Sequence, residues 1–480
     1  MGMTLTWIDW LIVVAYLAGC MGLGLWMRQF VRGVEDFAVA GREMNVNLGI
    51  ASLAATELGL VTIMYTAQLG FQKGFAGAAI GLIMALAMYA VGRTGFVIGP
   101  MRRAGVVTIP ELFEKRFGWR IRWAAGVFVV LGGLLNMGVF LRLGGEFLVH
   151  MAGLPPGWLE VVMTVLLGLV LLYTALGGML SVLVTDYLQF LVLGLGIVVV
   201  SVLVFMDVGW GNLVKGLTEA WSATQAGTMP ETLKMTGHPF NPVATGWGYV
   251  LWQIVFQIAV VTTWQTQIAR VLASRSDVAA QQMYRRTAFY FVGRFGLPGV
   301  WGAAALVYFM GKGGLPEGVD SLTAMPAYLA TLLPIGVIGL VVAAMLAAEM
   351  STDSGYLLTW ATVIYNDLVR PLFKKAPSVK SQLLITRGLV LGIGVFLLFY
   401  GLWYQLPGNA WDYLAVTGNI YLASVFTLLV AALYWPRATA AGAICALVLG
   451  AIGPLTFLIV NARAAAGQQI AAEVAGGASF

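Results

Sequence analysis

Five polar side chains crowd one short part of an otherwise apolar run. Met345–Tyr356 reads MLAAEMSTDSGY, and within it Glu349, Ser351, Thr352, Asp353 and Ser354 stand almost side by side, inside the run Pro334–Leu358. A helix in lipid carries such groups where they face a cavity or a partner, so the stretch is a candidate site. At helical spacing Ala348, Ser351 and Thr352 share one face. That face offers one backbone carbonyl and two hydroxyls, an oxygen set suited to a small hard cation. The competing reading is close helix packing by small residues, with the hydroxyls bonded back to their own helix. Glu349 and Asp353, four apart, lie on a different face.

Other polar interruptions invite similar chemistry. ASLAATELG at Ala51–Gly59 puts Glu57 near the middle of an apolar run, between Thr56 and Gly59. A glycine beside buried polar residues can mark an unwound helix, whose freed carbonyls coordinate ions. A Glu paired with an Arg inside a bundle is the alternative, and the two are compatible. Gln253, Gln257, Thr262, Thr263, Gln265 and Gln267 sit in another apolar run. They line an aqueous route or bond between helices; Trp264 among them stacks on a solute or simply packs. Thr417 and Asn419 lie in a later run. Arg142 and Glu146, at i and i+4, form a local ion pair, or Arg142 holds a solute carboxylate with its fork while Glu57 receives an amine or hydroxyl. Asp186 lies just inside its span, where a carboxylate at a helix amino terminus is favoured by the dipole.

The elements that must position these groups are membrane helices. Hydrophobic residues make up 60% of the chain and charged ones 10%, with 60 glycines, and the mean hydropathy is +0.87. That excludes a soluble domain. Twelve spans are expected, at 5–27, 46–71, 77–99, 121–150, 157–176, 181–207, 243–269, 286–311, 332–363, 382–404, 411–434 and 437–461, each near the ~20 apolar residues that cross a bilayer. The first carries Asp9 and no basic start, unlike a cleavable signal. With the amino terminus outside, most of the 27 Lys and Arg fall at cytoplasmic segments, Arg270, Arg285 and Arg286 among them. Only Lys73, Lys215, Lys234, Lys312 and Arg463 fall outside, while Arg93, Arg142 and Arg294 lie deeper in spans. That asymmetry orients the chain, so its +6 charge is topological and implies no nucleic-acid partner. Cys20 and Cys445 lie in apolar runs and His150 and His238 are the only histidines. No disulfide framework, metal cluster or enzymatic constellation follows, and no cofactor is expected.

Several stretches together resemble the sodium/solute symporter family, which includes carriers of sugars, proline, pantothenate and sialic acid. They are VEDFAVAGR at 34–42, TIPELFEKRFG at 108–118, YTALGGMLSVLVTDYLQ at 173–189, QIARVLASRSDVAA at 267–280 and AAEMSTDSGYLLTWATVIYNDL at 347–368. The resemblance implies an all-α membrane protein with about twelve transmembrane helices, forming one domain over 1–480. The architecture would be a LeuT-like five-plus-five inverted repeat, with repeats at 46–207 and 243–434, one extra helix at each end (5–27 and 437–461) and a tail at 462–480. Spans two and seven would be broken and would meet the solute near the midplane. Carried over by position, the sodium site is the carbonyls of Ala51, Ala54 and Ala348 with the hydroxyls of Ser351 and Thr352. Some members bind a second sodium; here Asp186, Ser351 and Ser354 match that pattern, while Gly355 stands where another hydroxyl is expected. Thr56, Glu57, Arg142, Gln257, Thr263, Gln265 and Asn419 are the candidate solute-binding residues.

The resulting expectation is a sodium-coupled symporter in the cell (inner) membrane, importing a small polar organic solute, a carboxylate or an amino acid, by alternating access. Its partners are the bilayer, sodium and the solute; the sequence specifies no oligomeric state. Proton coupling through Glu57, Asp186, Glu349 or Asp353 is the alternative, and a transport-like sensor is the other. Uptake without chemical change separates a carrier from an enzyme.

Overall fold

The computed structural model describes residues 5–31, 33–375, 377–403 and 410–477, and its elements are helices. The chain begins with α1 (Trp7–Met27), whose Thr6 and Asp9 form a reciprocal capping box. A short α2 (Val34–Val39) leads into α3 (Val46–Glu57) and α4 (Leu60–Lys73). Then come α5 (Ala79–Thr94), α6 (Ile98–Arg103), α7 (Ile109–Phe117), α8 (Trp119–Met137), α9 (Phe140–Ala152), α10 (Leu159–Val208) and α11 (Trp210–Gln225). The second half holds α12 (Trp247–Thr263), α13 (Gln265–Ala273), α14 (Asp277–Gly311), α15 (Ala324–Leu332), α16 (Val337–Val363), α17 (Val379–Trp403), α18 (Ala410–Tyr434) and α19 (Ala440–Gly477).

Among the described residues, 8 helical segments are long and apolar enough to cross a membrane. The expected count was twelve: the segments Leu60–Thr94 and Leu159–Val208 each cover parts of two expected spans, and the expected spans 243–269 and 286–311 are not among the eight. Span 46–71 divides into α3 and α4 at Leu58 and Gly59, where Gly59 is extended (φ −63, ψ 160). Span 243–269 divides into α12 and α13 at Trp264 (φ −63, ψ 109). Span 121–150, expected to be continuous, divides into α8 and α9 at Gly138 and Val139. Within α10 two helices join across a kink at Gly178 (φ 53, ψ −149), between the expected spans 157–176 and 181–207. Only glycine takes that backbone easily, and a Cβ there would also lie 2.7 Å from the Phe37 carbonyl oxygen. The segment 208–242 between expected spans contains α11, and the last helix continues through the expected tail to Gly477. α7 starts with Thr108 accepting the Glu111 N–H and Pro110 in the first turn.

α16 is the central element, buried along almost its whole length and packed on α10, α1, α3, α9 and α17. Outer helices expose apolar side chains instead, Leu384 and Leu391 on α17 and Leu449 and Ile452 on α19, as lipid-facing surfaces do. Where α4 crosses α14 the backbones touch. A Cβ on Gly70 would lie 1.9 Å from the Gly299 oxygen, and one on Gly302 would lie 1.8 Å from the Ala67 oxygen. Small residues allow this approach in the absence of a hydrophobic drive between helices.

Candidate functional site

The break between α3 and α4 faces α16 at its polar turn. A helix end leaves carbonyls without intrahelical donors, and side chains supply them here. The Thr352 hydroxyl donates to the Thr56 carbonyl at 2.8 Å, and the Thr62 hydroxyl to the Glu57 carbonyl at 3.2 Å. The Ala54 carbonyl accepts the Leu58 N–H at 3.0 Å. Gly59 is required by the close approach: a Cβ would lie 2.2 Å from the Thr352 hydroxyl oxygen. Ser351 and Thr352 are buried, as are Ala348 beside them and Ala51 and Ala54 on α3. The five residues of the expected sodium set thus lie on two helices packed against each other; the Thr352 hydroxyl points at the backbone opened by the break, and the Ser351 hydroxyl at the Asp186 carboxylate on α10.

Next to this set is Asp186 on α10, wholly buried. Its Oδ1 accepts the Ser351 hydroxyl at 2.5 Å. Its Oδ2 accepts the hydroxyls of Ser52 at 2.5 Å and Thr56 at 3.3 Å, and lies 3.4 Å from the Arg270 guanidinium. Arg270, read from the sequence as a cytoplasmic surface charge, is instead 0% exposed. Of the candidate second-cation pair, Asp186 is brought to the site, whereas the Ser354 hydroxyl donates to the Ser351 carbonyl at 3.2 Å.

Glu57 sits at the end of α3 and collects three donors. They are the Thr266 hydroxyl at 3.1 Å, the Gln267 amide at 3.0 Å and Arg294 on α14 at 3.4 Å. Arg294 also donates to the Thr62 hydroxyl at 3.0 Å and stacks on Phe291 and Phe295, 4.9 and 5.3 Å from their centroids. Its Nε–H has no acceptor among the described residues. Glu57 and Arg294 line a small cavity of about 80 Å³ that also meets Thr56, Thr352, Asn136 and Gln257. Its walls are aromatic, with Tyr65, Phe140, Phe256, Trp264, Tyr356 and Trp411. Trp264 is held by its N–H to the Tyr356 hydroxyl at 2.7 Å and by stacking on Tyr421 at 5.7 Å.

Thr56, Glu57 and Gln257 therefore border one cavity, and four expected solute residues do not. Arg142 is 2.9 Å from Glu146 and donates to the Gly401 carbonyl at 3.3 Å, which is the local-pair alternative. The Thr263 hydroxyl donates to the Ala259 carbonyl at 2.6 Å. Gln265 accepts the Ile109 N–H at 3.2 Å, tying α13 to α7, and Asn419 lies half-buried on α18. Sequence reasoning missed Asn136, Tyr65, Tyr356 and Trp411 as lining residues, and Arg294 as a solute candidate. Only Arg294 had a signal, as a basic residue deep in a span. Glu349 and Asp353 are buried with no hydrogen-bond partner for either carboxylate among the described residues. Glu349 rests against α9 at Gly144, where a Cβ would lie 2.6 Å from its Oε1.

Known proteins resemble this chain along most of its length. The Sodium:solute symporter family model matches residues 37–450. A Sodium/glucose cotransporter of Vibrio parahaemolyticus is 26% identical, over 95% of this chain and 85% of that one. The Sodium/sialic acid symporter SiaT of Proteus mirabilis is 24% identical, over 93% and 89%. A solved structure of a Na+-coupled sialic acid symporter, substrate-bound and outward-open, superposes with a TM-score of 0.78 at 20% identity, covering 94% of this chain and 96% of that one. The fold is thus the all-helical, LeuT-like one expected, and the polypeptide is a multi-pass membrane protein.

Proposed function

The chain belongs to the sodium:solute symporter family, and from that premise we propose that it couples inward sodium flow to import of a small organic carboxylate or amino acid across the cell membrane. One observation carries the sodium half: the Thr352 hydroxyl faces the α3 break and reaches the Thr56 carbonyl at 2.8 Å, with the Ser351 hydroxyl beside it on the Asp186 carboxylate. Sodium held there by these hydroxyls and the carbonyls of Ala51, Ala54 and Ala348 would join α16 to α3. Thr352 belongs at once to this set and to the cavity wall, and its hydroxyl bonds the carbonyl of Thr56, which also lines that wall. An ion that fixes them also shapes the solute pocket, so each ligand raises the affinity of the other. Membrane potential adds about 2.3 kcal/mol per charge per 100 mV to entry.

In this reading 46–207 and 243–434 are the two repeats, opened by the broken pairs α3/α4 and α12/α13. Arg294, rather than Arg142, anchors the solute. Its Nε–H, which has no acceptor among the described residues, is suited to a carboxylate oxygen beside Glu57, while Glu57 faces an amine or hydroxyl. The aromatic walls take the apolar body.

The reading is tested by thermal-shift screening of purified protein against amino acids and organic acids, in sodium and in choline at constant pH. Ligands that bind the native state raise its melting temperature. The expected hit stabilises in sodium only, and its labelled form enters proteoliposomes down an inward sodium gradient. Uptake driven equally by a proton gradient in choline would overturn sodium coupling.

A further inference from the structure

Asp186 is surrounded by the chemistry of a cation site in its own right. Hydroxyls of Ser52 and Thr56 from α3 and of Ser351 from α16 converge on its carboxylate. A buried carboxylate with three hydroxyls is a hard-oxygen set. Anions this deep need a positive partner.

The positive charge is supplied by the chain itself. Arg270 Nη2 lies 3.4 Å from Asp186 Oδ2 and donates to the Thr56 hydroxyl at 2.7 Å, while Nε donates to the Ser52 hydroxyl at 3.2 Å. Nη1 returns to the Thr266 carbonyl on α13 at 3.2 Å. Both partners of the ion pair are 0% exposed. Gly355 makes the room: a Cβ there would lie 2.7 Å from Nη2 and 2.9 Å from the Thr56 methyl. The guanidinium shares three of the four oxygen-bearing groups, and a free cation among the same atoms would meet a like charge at hydrogen-bonding range.

We propose that Arg270 is a tethered cation filling the Asp186 site, with Gly355 admitting it, so that the protein binds a single sodium ion, at Ser351 and Thr352. This rests on the sodium-coupled reading above.

Equilibrium binding of radioactive sodium to purified protein tests it. The wild type is expected to bind a single ion per chain with no cooperativity. Arg270→Ala vacates the position and is expected to gain a second ion, lost again when Asp186→Asn is added. Gly355→Ser, which crowds the guanidinium and adds a hydroxyl, is the second route to that gain and stands in if Arg270→Ala does not fold. A second ion in either variant, removed by Asp186→Asn, supports the proposal. Two ions in the wild type, or no gain in any variant that folds, overturns it. A wild type that binds no sodium at all overturns the symport reading instead, so the two failures are distinct.

Discussion

The Thr352 hydroxyl donates to the Thr56 carbonyl at 2.8 Å, across the break between α3 and α4 and 296 residues along the chain. Thr352 thereby belongs to two elements at once: its backbone to the straight central helix, its oxygen to the opened end of another. A cation bound there would tie the two together.

Ser351→Ala and Thr352→Ala are each expected to raise the sodium concentration for half-maximal uptake roughly tenfold, the factor given by ~1.4 kcal/mol of lost binding. Sodium titrations of uptake, at equal amounts of protein in the membrane, check this. Unchanged sodium dependence in both variants would remove the site assignment.

Gly59→Ala is expected to reproduce the sodium defect of Thr352→Ala without touching a ligand. The new Cβ would lie 2.2 Å from the Thr352 hydroxyl oxygen and must displace it. Combining the two substitutions should add little, because both act on the same oxygen. Additive losses would mean Gly59 acts elsewhere.

Arg294→Lys is expected to weaken solute binding by at least about tenfold, since a point charge cannot reproduce a planar fork. Arg142→Ala should change it by less than about twofold, an i,i+4 pair at this partial exposure contributing only ~0.3–0.5 kcal/mol. Affinities from thermal-shift titration of the identified solute decide. The reverse order would restore Arg142 as the anchor.

Gly302→Ala is expected to destabilise by about 1–3 kcal/mol, the usual cost of overpacking a tight contact. A Cβ there would lie 1.8 Å from the Ala67 carbonyl oxygen, where neither backbone can yield alone. Gly293→Ala, with only Leu297 nearby at 3.9 Å, is the control on the same helix and should melt near wild type.

Thr228→Cys should react with an impermeant thiol reagent from outside intact cells, and Ser378→Cys should react only after permeabilisation. Both positions are exposed. The opposite labelling would reverse the orientation drawn from the Lys and Arg distribution.

The sequence by itself determined the membrane class, because a chain this apolar has no soluble alternative. It also marked one helix break, where Gly59 stands beside Thr56 and Glu57 in a buried run; the break in span 243–269 was implied by the family resemblance, its Gln and Thr residues signalling only an aqueous route or bonds between helices. Ser351 and Thr352 were legible for the same reason, since hydroxyls at helical spacing in a buried run are conspicuous. What only the tertiary structure decided is which charges meet. Arg270 reads as a surface residue at the end of a span, yet it is wholly buried on Asp186, 84 positions away. Arg294 finds Glu57 across 237 positions, while Arg142 finds a neighbour one turn along its own helix. Periodicity reports which face a residue shares within its helix. It carries no record of which distant helix that face is packed against, and a buried arginine and a solvated one look alike until the packing is known. The cavity wall was illegible for a related reason: Asn136, Tyr356 and Trp411 come from different helices, and aromatic residues in membrane spans are too common to mark a solute site.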